Sequence, residues 1–309
     1  MNLGQAPRPA PVVTILRKKA LLADPLLFMP LLFAVSILAG TFGALLGIGG
    51  GMIVVPFLTS VLHVDMHLAI GASIVSVIAT SSGSAAAYLK DRLTNVRVGM
   101  LLEIGTTTGG ILGALLAAFA PTTLLSLLFG LVLAFSAYQM LGKIHLEHEA
   151  LETSSPLAEK LKLGGTYYDT HAQREVRYGV TGVLPGMGIM VLAGALSGML
   201  GIGGGAFKVL AMDLMMRLPM KVSTTTSNLM IGATAAASAG IYFFRGEINP
   251  YLAGPVALGV LVGSRLGTRL LIRMRNERLR QLFVVLLAAL AAQMLWKGLS
   301  ALLGGWPHA

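Results

Sequence analysis

The chain has 309 residues, of which 55% are hydrophobic and only 12% are charged, and its net charge is +10. A soluble domain carries about 25% charged residues, so this composition argues against a soluble enzyme and for an integral membrane protein. The basic residues cluster at the ends of apolar tracts, which favours topology and lipid-headgroup anchoring over nucleic-acid binding. The sequence contains no cysteine, which excludes disulfides, cysteine-ligated metals and thiol relays.

Apolar tracts follow one another along the chain. A transmembrane helix needs about 20 apolar residues to cross the hydrocarbon core. The sequence therefore predicts an all-α integral membrane protein with about eight transmembrane helices. In chain order, the predicted spans are 25–46, 68–89, 98–119, 122–141, 178–200, 222–244, 250–272 and 279–299.

The hexapeptide Leu-Gly-Ile-Gly-Gly-Gly occurs twice, at residues 46–51 and 200–205, a shift of 154 residues. The same shift places Tyr88 on Tyr242 without a gap, and we call positions related by this shift equivalent. Self-similarity at a constant shift indicates an internal repeat, so we predict two homologous four-helix repeats, each with a glycine-broken helix. The predicted organisation is a cytoplasmic N-terminal tail (1–24), a first repeat (25–143), a polar linker (144–177), a second repeat (178–300) and a C-terminal tail (301–309).

The relative orientation of the two repeats stays open at this level. Basic residues at 17–19, at 90–97 and in the linker favour the cytoplasmic side. Simple alternation of eight spans would then place the arginines of 273–280 on the other side, which the rule disfavours. Inverted repeats, common in transporters, remove the conflict if a glycine-broken segment is re-entrant. We favour the inverted arrangement.

Each glycine run interrupts a membrane helix. A glycine costs about 1 kcal/mol relative to alanine in a helix, and irregular backbone survives in a membrane only inside the protein or beside an aqueous cavity. A helix that restarts after the break directs free N–H groups and a positive dipole end at an anion. Close helix packing is the alternative, but it accounts poorly for the same triple glycine at one place in both halves. The predicted substrate-binding glycines are Gly49, Gly50, Gly51, Gly203, Gly204 and Gly205.

Lys208 lies three residues beyond the second glycine run, where the first repeat has Val54. A charge at mid-membrane costs about 2.5–3.5 kcal/mol on insertion scales and marks a functional site by default. We therefore predict Lys208 as the counter-charge of an anion. Snorkelling or pairing with Asp213 is the alternative. Five residues separate Lys208 and Asp213 along the helix, which argues against the pairing. Small polar residues predicted to line the same site are Ser73, Thr226, Ser227 and Asn228.

The other polar residues do not indicate an enzyme. His63 and His67 have no evident third ligand for a metal, and Glu103 lies near a tract end without standing out as a proton carrier. We predict no catalytic residue, no metal site and no cofactor. Three arginines on one face of the seventh span are best explained by snorkelling towards the interface, and these are Arg265, Arg269 and Arg273.

The duplicated glycine run, together with residues 71–73 and 225–228, resembles the TauE/SafE family of membrane permeases, often called sulfite exporters. Two positions depart from the family pattern, because Leu210 replaces the second proline and Ala72 replaces a usual threonine. The resemblance implies that the transported anion is a sulfur oxyanion or an organosulfonate, such as sulfite, sulfoacetate or a taurine-related compound.

We therefore predict a secondary transporter of the cell inner membrane that moves a small anion by alternating access around a midplane site between the two breaks. An anion channel is the alternative, and an intramembrane enzyme or assembly factor is less favoured. Expected partners are the anion, membrane lipids and a coupling ion, either a proton or sodium. A homo-oligomer is compatible with the sequence, whereas nucleic acid is not expected.

Overall fold

The computed structural model describes residues 25–90, 93–141, 153–169, 173–274 and 276–303. Within these ranges five helices are long and apolar enough to cross a membrane. The helices are α1 (Pro25–Leu46), α2 (Gly51–Pro56), α3 (Met66–Lys90), α4 (Val96–Ala117), α5 (Thr122–Leu141), α6 (Pro156–Lys160), α7 (Val183–Leu200), α8 (Gly205–Leu210), α9 (Met220–Phe244), α10 (Pro250–Arg273) and α11 (Asn276–Leu302).

The five apolar helices are consistent with an all-α membrane protein, and they lie within α1, α3, α4, α7 and α11. The apolar part of α5 is shorter, at Thr122–Tyr138. Hydroxyl side chains lower the hydropathy of α9, and arginines lower that of α10. The count of eight spans therefore stays a prediction.

The predicted fifth span, 178–200, begins too early. Tyr178 is the last residue of a strand, and α7 begins only at Val183. Gly182 precedes the helix with a φ of 56°, in the left-handed region that side chains rarely adopt. This turn separates the strand from the helix.

A short helix follows each glycine run and ends in one turn of π-helix. The turn π1 (Phe57–Val61) continues α2, and π2 (Ala211–Met215) continues α8. The two π turns occupy equivalent positions, and a residue with positive φ follows each of them, at His63 and Arg217. The two glycine-broken segments therefore have closely similar backbones.

Glycines allow the long helices to touch backbone to backbone. A Cβ at Gly109 of α4 would lie 3.0 Å from the carbonyl carbon of Val191 in α7 and closer still to its oxygen. A Cβ at Gly263 of α10 would meet Ile37 of α1 in the same way. Because both residues of one contact are equivalent to those of the other, the first helix of each half packs on the third helix of the opposite half.

The equivalent helices α3 and α9 run in opposite directions. The N-terminal part of α3 lies beside the loop after α9, since Gly71 contacts the Glu247 backbone. The loop after α3 lies beside the N-terminal part of α9, where Thr225 Oγ1 donates to Leu93 O at 2.9 Å. Helices α3 and α9 are therefore antiparallel and cross near their centres, where Gly232 of α9 contacts Ser81.

Two other pairs of long helices pack across the halves, and each pair is parallel. Gly259 of α10 contacts Phe33 of α1, and Gly267 contacts Thr41, so α1 and α10 are parallel. In the same way, Gly109 of α4 contacts Val191 of α7 and Gly113 contacts Ala195, so α4 and α7 are parallel. The packing across the halves is thus parallel in these two pairs and antiparallel between α3 and α9.

The linker contains a β-hairpin that the sequence analysis did not predict. Strand β1 (Gly165–Asp169) pairs antiparallel with β2 (Arg174–Tyr178). Asn95, just before α4, donates from Nδ2 to Leu163 O at 2.7 Å and to the Tyr178 hydroxyl at 3.1 Å. The hairpin is thereby fixed to the start of α4. Residues 1–24, 142–152 and 304–309 lie outside the described residues.

Candidate functional site

The two glycine breaks lie against each other in the interior. A Cβ on Gly51 would lie 3.0 Å from Gly201 O, and Gly205 contacts Gly47 and Ile48 just as closely. Every residue of both LGIGGG runs is buried. The structure thus brings together the predicted glycines, which come from opposite halves of the chain.

Two side chains enclose this contact and are themselves equivalent. Gly49 and Gly203 each approach both Val77 of α3 and Ile231 of α9. These two helices cross near the same residues, so the breaks meet close to the middle of the bundle. A substrate site at the membrane midplane stays a prediction.

Two serines anchor the breaks across the halves. Ser73 Oγ of α3 donates to Gly201 O at 2.5 Å, and Ser227 Oγ of α9 donates to Gly47 O at 2.6 Å. Both hydroxyls are buried and satisfy carbonyl groups that the breaks release from the helices. In this conformation each serine stabilises the break of the opposite half.

The remaining predicted polar residues occupy two different places. Asn228 Nδ2 donates to Ala44 O at 2.7 Å, next to the first break, while its buried Oδ1 has no hydrogen-bond partner among the described residues. Thr226 Oγ1 accepts from the backbone N–H of Asn95 at 3.0 Å. Asn228 therefore belongs to the region of the breaks, and Thr226 lies at the start of α4.

The two breaks differ in one backbone angle. Gly204 has a φ of 65°, in the left-handed region, whereas the equivalent Gly50 has −62°. In the first half, Gly50 N–H donates to Thr80 Oγ1 at 3.0 Å. The equivalent threonine in the second half is Thr234, and it has a different partner.

The partner of Thr234 is Lys208, which is completely buried. Its Nζ donates to Thr234 Oγ1 at 2.5 Å and lies 3.7 Å from Glu103 Oε2. Thr234 in turn donates to Glu103 Oε1 at 2.6 Å, and Thr107 donates to the same oxygen at 2.8 Å. The lysine is therefore compensated by a carboxylate, and its pairing is not with Asp213.

Glu103 corrects the sequence analysis, which placed it at a tract end. It lies in the second turn of α4, and its side chain is 17% exposed while that of Lys208 is 0% exposed. The pair joins α4 of the first half to α8 and α9 of the second half. A carboxylate inside an apolar span was the signal that could have identified it.

The equivalent place in the first half is apolar. Val54 stands where the second half has Lys208, and Ala257 is equivalent to Glu103. Val54 is buried in a hydrophobic cluster that Ala257 partly covers. The ion pair is consequently an asymmetric feature of an otherwise matched pair of segments.

The arginines of α10 and the carboxylate of Asp65 do not belong to this centre. Arg265, Arg269 and Arg273 are exposed on α10, which is compatible with snorkelling. Asp65, in the turn before α3, accepts a hydrogen bond from the His67 backbone at 2.8 Å, and hydrogen bonding from His67 lowers the pKa of its carboxyl. Among the described residues, no group of three potential metal ligands occurs.

Comparison with known proteins decides the family. The family model described as sulfite exporter TauE/SafE matches residues 32–294. The chain belongs to this family. The match includes both glycine breaks, Glu103 and Lys208.

Curated relatives carry transporter names. The probable membrane transporter protein YunE of Bacillus subtilis is 26% identical over 276 residues, which cover 87% of this chain and 98% of the relative. YdhB of the same organism is 26% identical over 77% of this chain and 89% of its own length. A probable membrane transporter protein of Xylella fastidiosa is 28% identical over 84% of this chain and 91% of its own length. No solved structure matches the chain significantly. With the apolar helices, these matches indicate a multi-pass membrane transporter.

Proposed function

We propose that this protein is a secondary transporter of the cell inner membrane that moves a small anion by alternating access. The description of its family favours a sulfur oxyanion or an organosulfonate, such as sulfite, sulfoacetate or a taurine-related compound, as the substrate. The observation that carries the proposal is the contact between the two glycine breaks, which come from opposite halves and meet near the middle of the bundle.

The proposal includes two homologous four-helix repeats of inverted topology. The equivalent helices α3 and α9 run in opposite directions. Equivalent residues also make the same contacts, as Tyr88 with Ala44 O and Tyr242 with Gly198 O illustrate. Transporters built from inverted repeats bind their substrate near the midplane, where discontinuous helices meet, and alternate by moving one unit against the other.

The anion would bind beside the second break. Lys208 supplies the buried positive charge at this level, and a buried cation favours an anionic ligand only if its resident counter-charge can be displaced or neutralised. Asn228 offers a further polar group close to the breaks. The first half has no charge at the equivalent place, so one anion per transport cycle is expected.

Uptake into proteoliposomes tests this function. Radiolabelled sulfite, thiosulfate and taurine would be compared for the wild type, for Lys208→Met and for the matched control Val54→Met, which changes the equivalent apolar position. We expect uptake to fall to background in Lys208→Met and to persist in the control. The Lys208→Met/Glu103→Gln variant removes both charges, so that loss of transport is separated from the folding defect that an unpaired Glu103 would cause.

An anion channel would share the buried lysine, but it would not exchange substrates. Unlabelled anion inside the vesicles should accelerate uptake of labelled anion through a transporter. Uptake that never saturates and shows no such acceleration would favour the channel. Unchanged kinetics in Lys208→Met would refute the role of the lysine.

A further inference from the structure

We propose that Glu103 is the proton-binding residue that makes Lys208 available to the substrate, so that one proton is transported together with each bound anion. The inference rests on the transporter function proposed above and specifies its coupling ion. It arises from the geometry of the buried Lys208–Thr234–Glu103 cluster, which joins the two halves of the molecule.

While Glu103 is ionised, its negative charge opposes the binding of a substrate anion at Lys208. The ammonium lies 3.7 Å from Glu103 Oε2, and both groups share the hydroxyl of Thr234. An anion that approached Lys208 would stand beside the carboxylate, and two negative charges this close in a buried site disfavour each other strongly. The resident carboxylate thus excludes the substrate.

Protonation of Glu103 reverses this balance. A proton from the aqueous phase would bind a carboxylate oxygen and leave the group neutral, while Lys208 keeps its positive charge. Oε2 is a suitable atom, because it is buried and has no hydrogen-bond partner among the described residues. The uncompensated ammonium then attracts the anion. One proton together with a monovalent anion enters without adding net charge to the site, whereas one proton together with a divalent anion adds one negative charge.

The two members of the pair differ in burial. The side chain of Glu103 is 17% exposed, whereas Lys208 is 0% exposed. In the proposed cycle, a proton reaches the less buried Glu103 before the lysine is uncovered. After the halves rearrange, loss of the proton on the other side would restore the Lys208–Glu103 pair and expel the anion.

Few other charged groups face this carboxylate. Helices α5 and α7 contain no charged residue, and α4 contributes only Arg97 besides Glu103. In α9 the charged residue is Lys221, thirteen positions before Thr234, which is about 20 Å along a helix. Asp213 lies in π2, one turn beyond Lys208, and has contacts of its own. The charge of the cluster is therefore set by Glu103 and Lys208.

The first half shows what the same fold looks like without coupling. Val54 and Ala257 replace the lysine and the carboxylate, and Thr80 accepts the Gly50 N–H instead of the ammonium. The fold thus does not need an ion pair at this position. Its presence in one half only is expected for a single proton site per molecule.

The test is the pH dependence of anion binding to the purified full-length protein. Thiosulfate and methanesulfonate are suitable probes, because neither changes its charge between about pH 6 and about pH 8. For one proton taken up per anion, the wild-type Kd should rise about tenfold per pH unit wherever Glu103 is ionised in the free protein. Glu103→Gln, which resembles the protonated form, should bind with an affinity independent of pH.

Transport separates coupling from binding. In proteoliposomes, Glu103→Gln should still exchange labelled for unlabelled thiosulfate, but an inward proton gradient should no longer drive accumulation. Glu103→Asp should retain the gradient-driven accumulation, and Glu159→Gln, which alters an exposed carboxylate of α6, should behave as the wild type. Circular dichroism and gel filtration establish folding, and if Glu103→Gln does not fold, the wild-type slope and Glu103→Asp decide the question.

The outcomes are distinguishable. If neither anion binds to the wild type at any pH, the proposed substrate class fails. If anions bind in a manner that depends on Lys208 but the wild-type affinity is independent of pH, the transporter proposal stands and the proton site is refuted. A pH slope that persists unchanged in Glu103→Gln would also refute it.

Discussion

Substitution of Gly109 by alanine should push α4 away from α7 and lower the stability of the protein. A Cβ at this position would lie 2.9 Å from Ala195 N and 3.0 Å from the carbonyl carbon of Val191, with the Val191 oxygen closer still. Ordinary van der Waals contact begins near 3.4 Å, so α4 and α7 would have to move apart along their contact. The same applies to Gly263, its equivalent against Ile37.

The expected cost follows from two opposing effects. Overpacking of a close contact costs about 1–3 kcal/mol, whereas replacing a helical glycine by alanine gains up to about 1 kcal/mol in helix propensity. Because backbone atoms cannot rotate away, we expect a net loss near 2 kcal/mol for Gly109→Ala, within the range that overpacking gives.

Gly188 provides the matched control on α7. A Cβ there would meet nothing within 4 Å, so Gly188→Ala has the propensity gain without the clash. Unfolding of the purified protein in mixed micelles, followed by far-ultraviolet circular dichroism, measures both variants. Equal stabilities of Gly109→Ala and Gly188→Ala would refute the backbone contact between α4 and α7.

Other predictions concern the breaks and the turn before α3. Ser73→Ala and Ser227→Ala should each lower the free energy of unfolding by about 1–3 kcal/mol, because each leaves a buried carbonyl without its donor. The control Ser82→Ala, on the exposed face of α3, should not lower it. Chemical denaturation compares the three variants, and full stability of Ser73→Ala and Ser227→Ala would contradict the hydrogen bonds. The pKa of Asp65 is lowered in the folded protein, so its contribution to stability is present above the unfolded value and disappears as the pH falls through the folded one. Below about pH 4, the thermal stability of Asp65→Asn should therefore fall less on acidification than that of the wild type. An equal fall in the two proteins would argue against this contribution.

Much of the helical architecture could be predicted because it depends on local patterns. The length of the apolar tracts indicated most helix positions, and the repeated hexapeptide located both breaks. The β-hairpin escaped prediction because strands of five residues at Gly165–Asp169 and Arg174–Tyr178 carry little periodic signal. The fifth span was misplaced for the related reason that Tyr178 is apolar enough to extend the tract.

The site was harder to predict because its contacts join distant parts of the chain. The 154-residue shift related Ser73 to Ser227. It did not reveal that the hydroxyl of each serine donates to the break of the opposite half. Glu103 stands at the edge of an apolar tract in the sequence, and only the packing of α4 against α9 brings it to Lys208. A carboxylate inside an apolar span is a local signal of a functional residue, but its pairing with Lys208 depends on tertiary structure.

The most direct test of alternating access uses the cysteine-free background of the chain. Asn228→Cys introduces a single thiol in the buried region beside the breaks, and a membrane-impermeant thiol reagent is applied to right-side-out and to inside-out vesicles. We predict that the reagent labels this variant from both sides, and that saturating thiosulfate slows both reactions. Labelling from one side only, at a rate that thiosulfate does not change, would contradict a central anion site with alternating access.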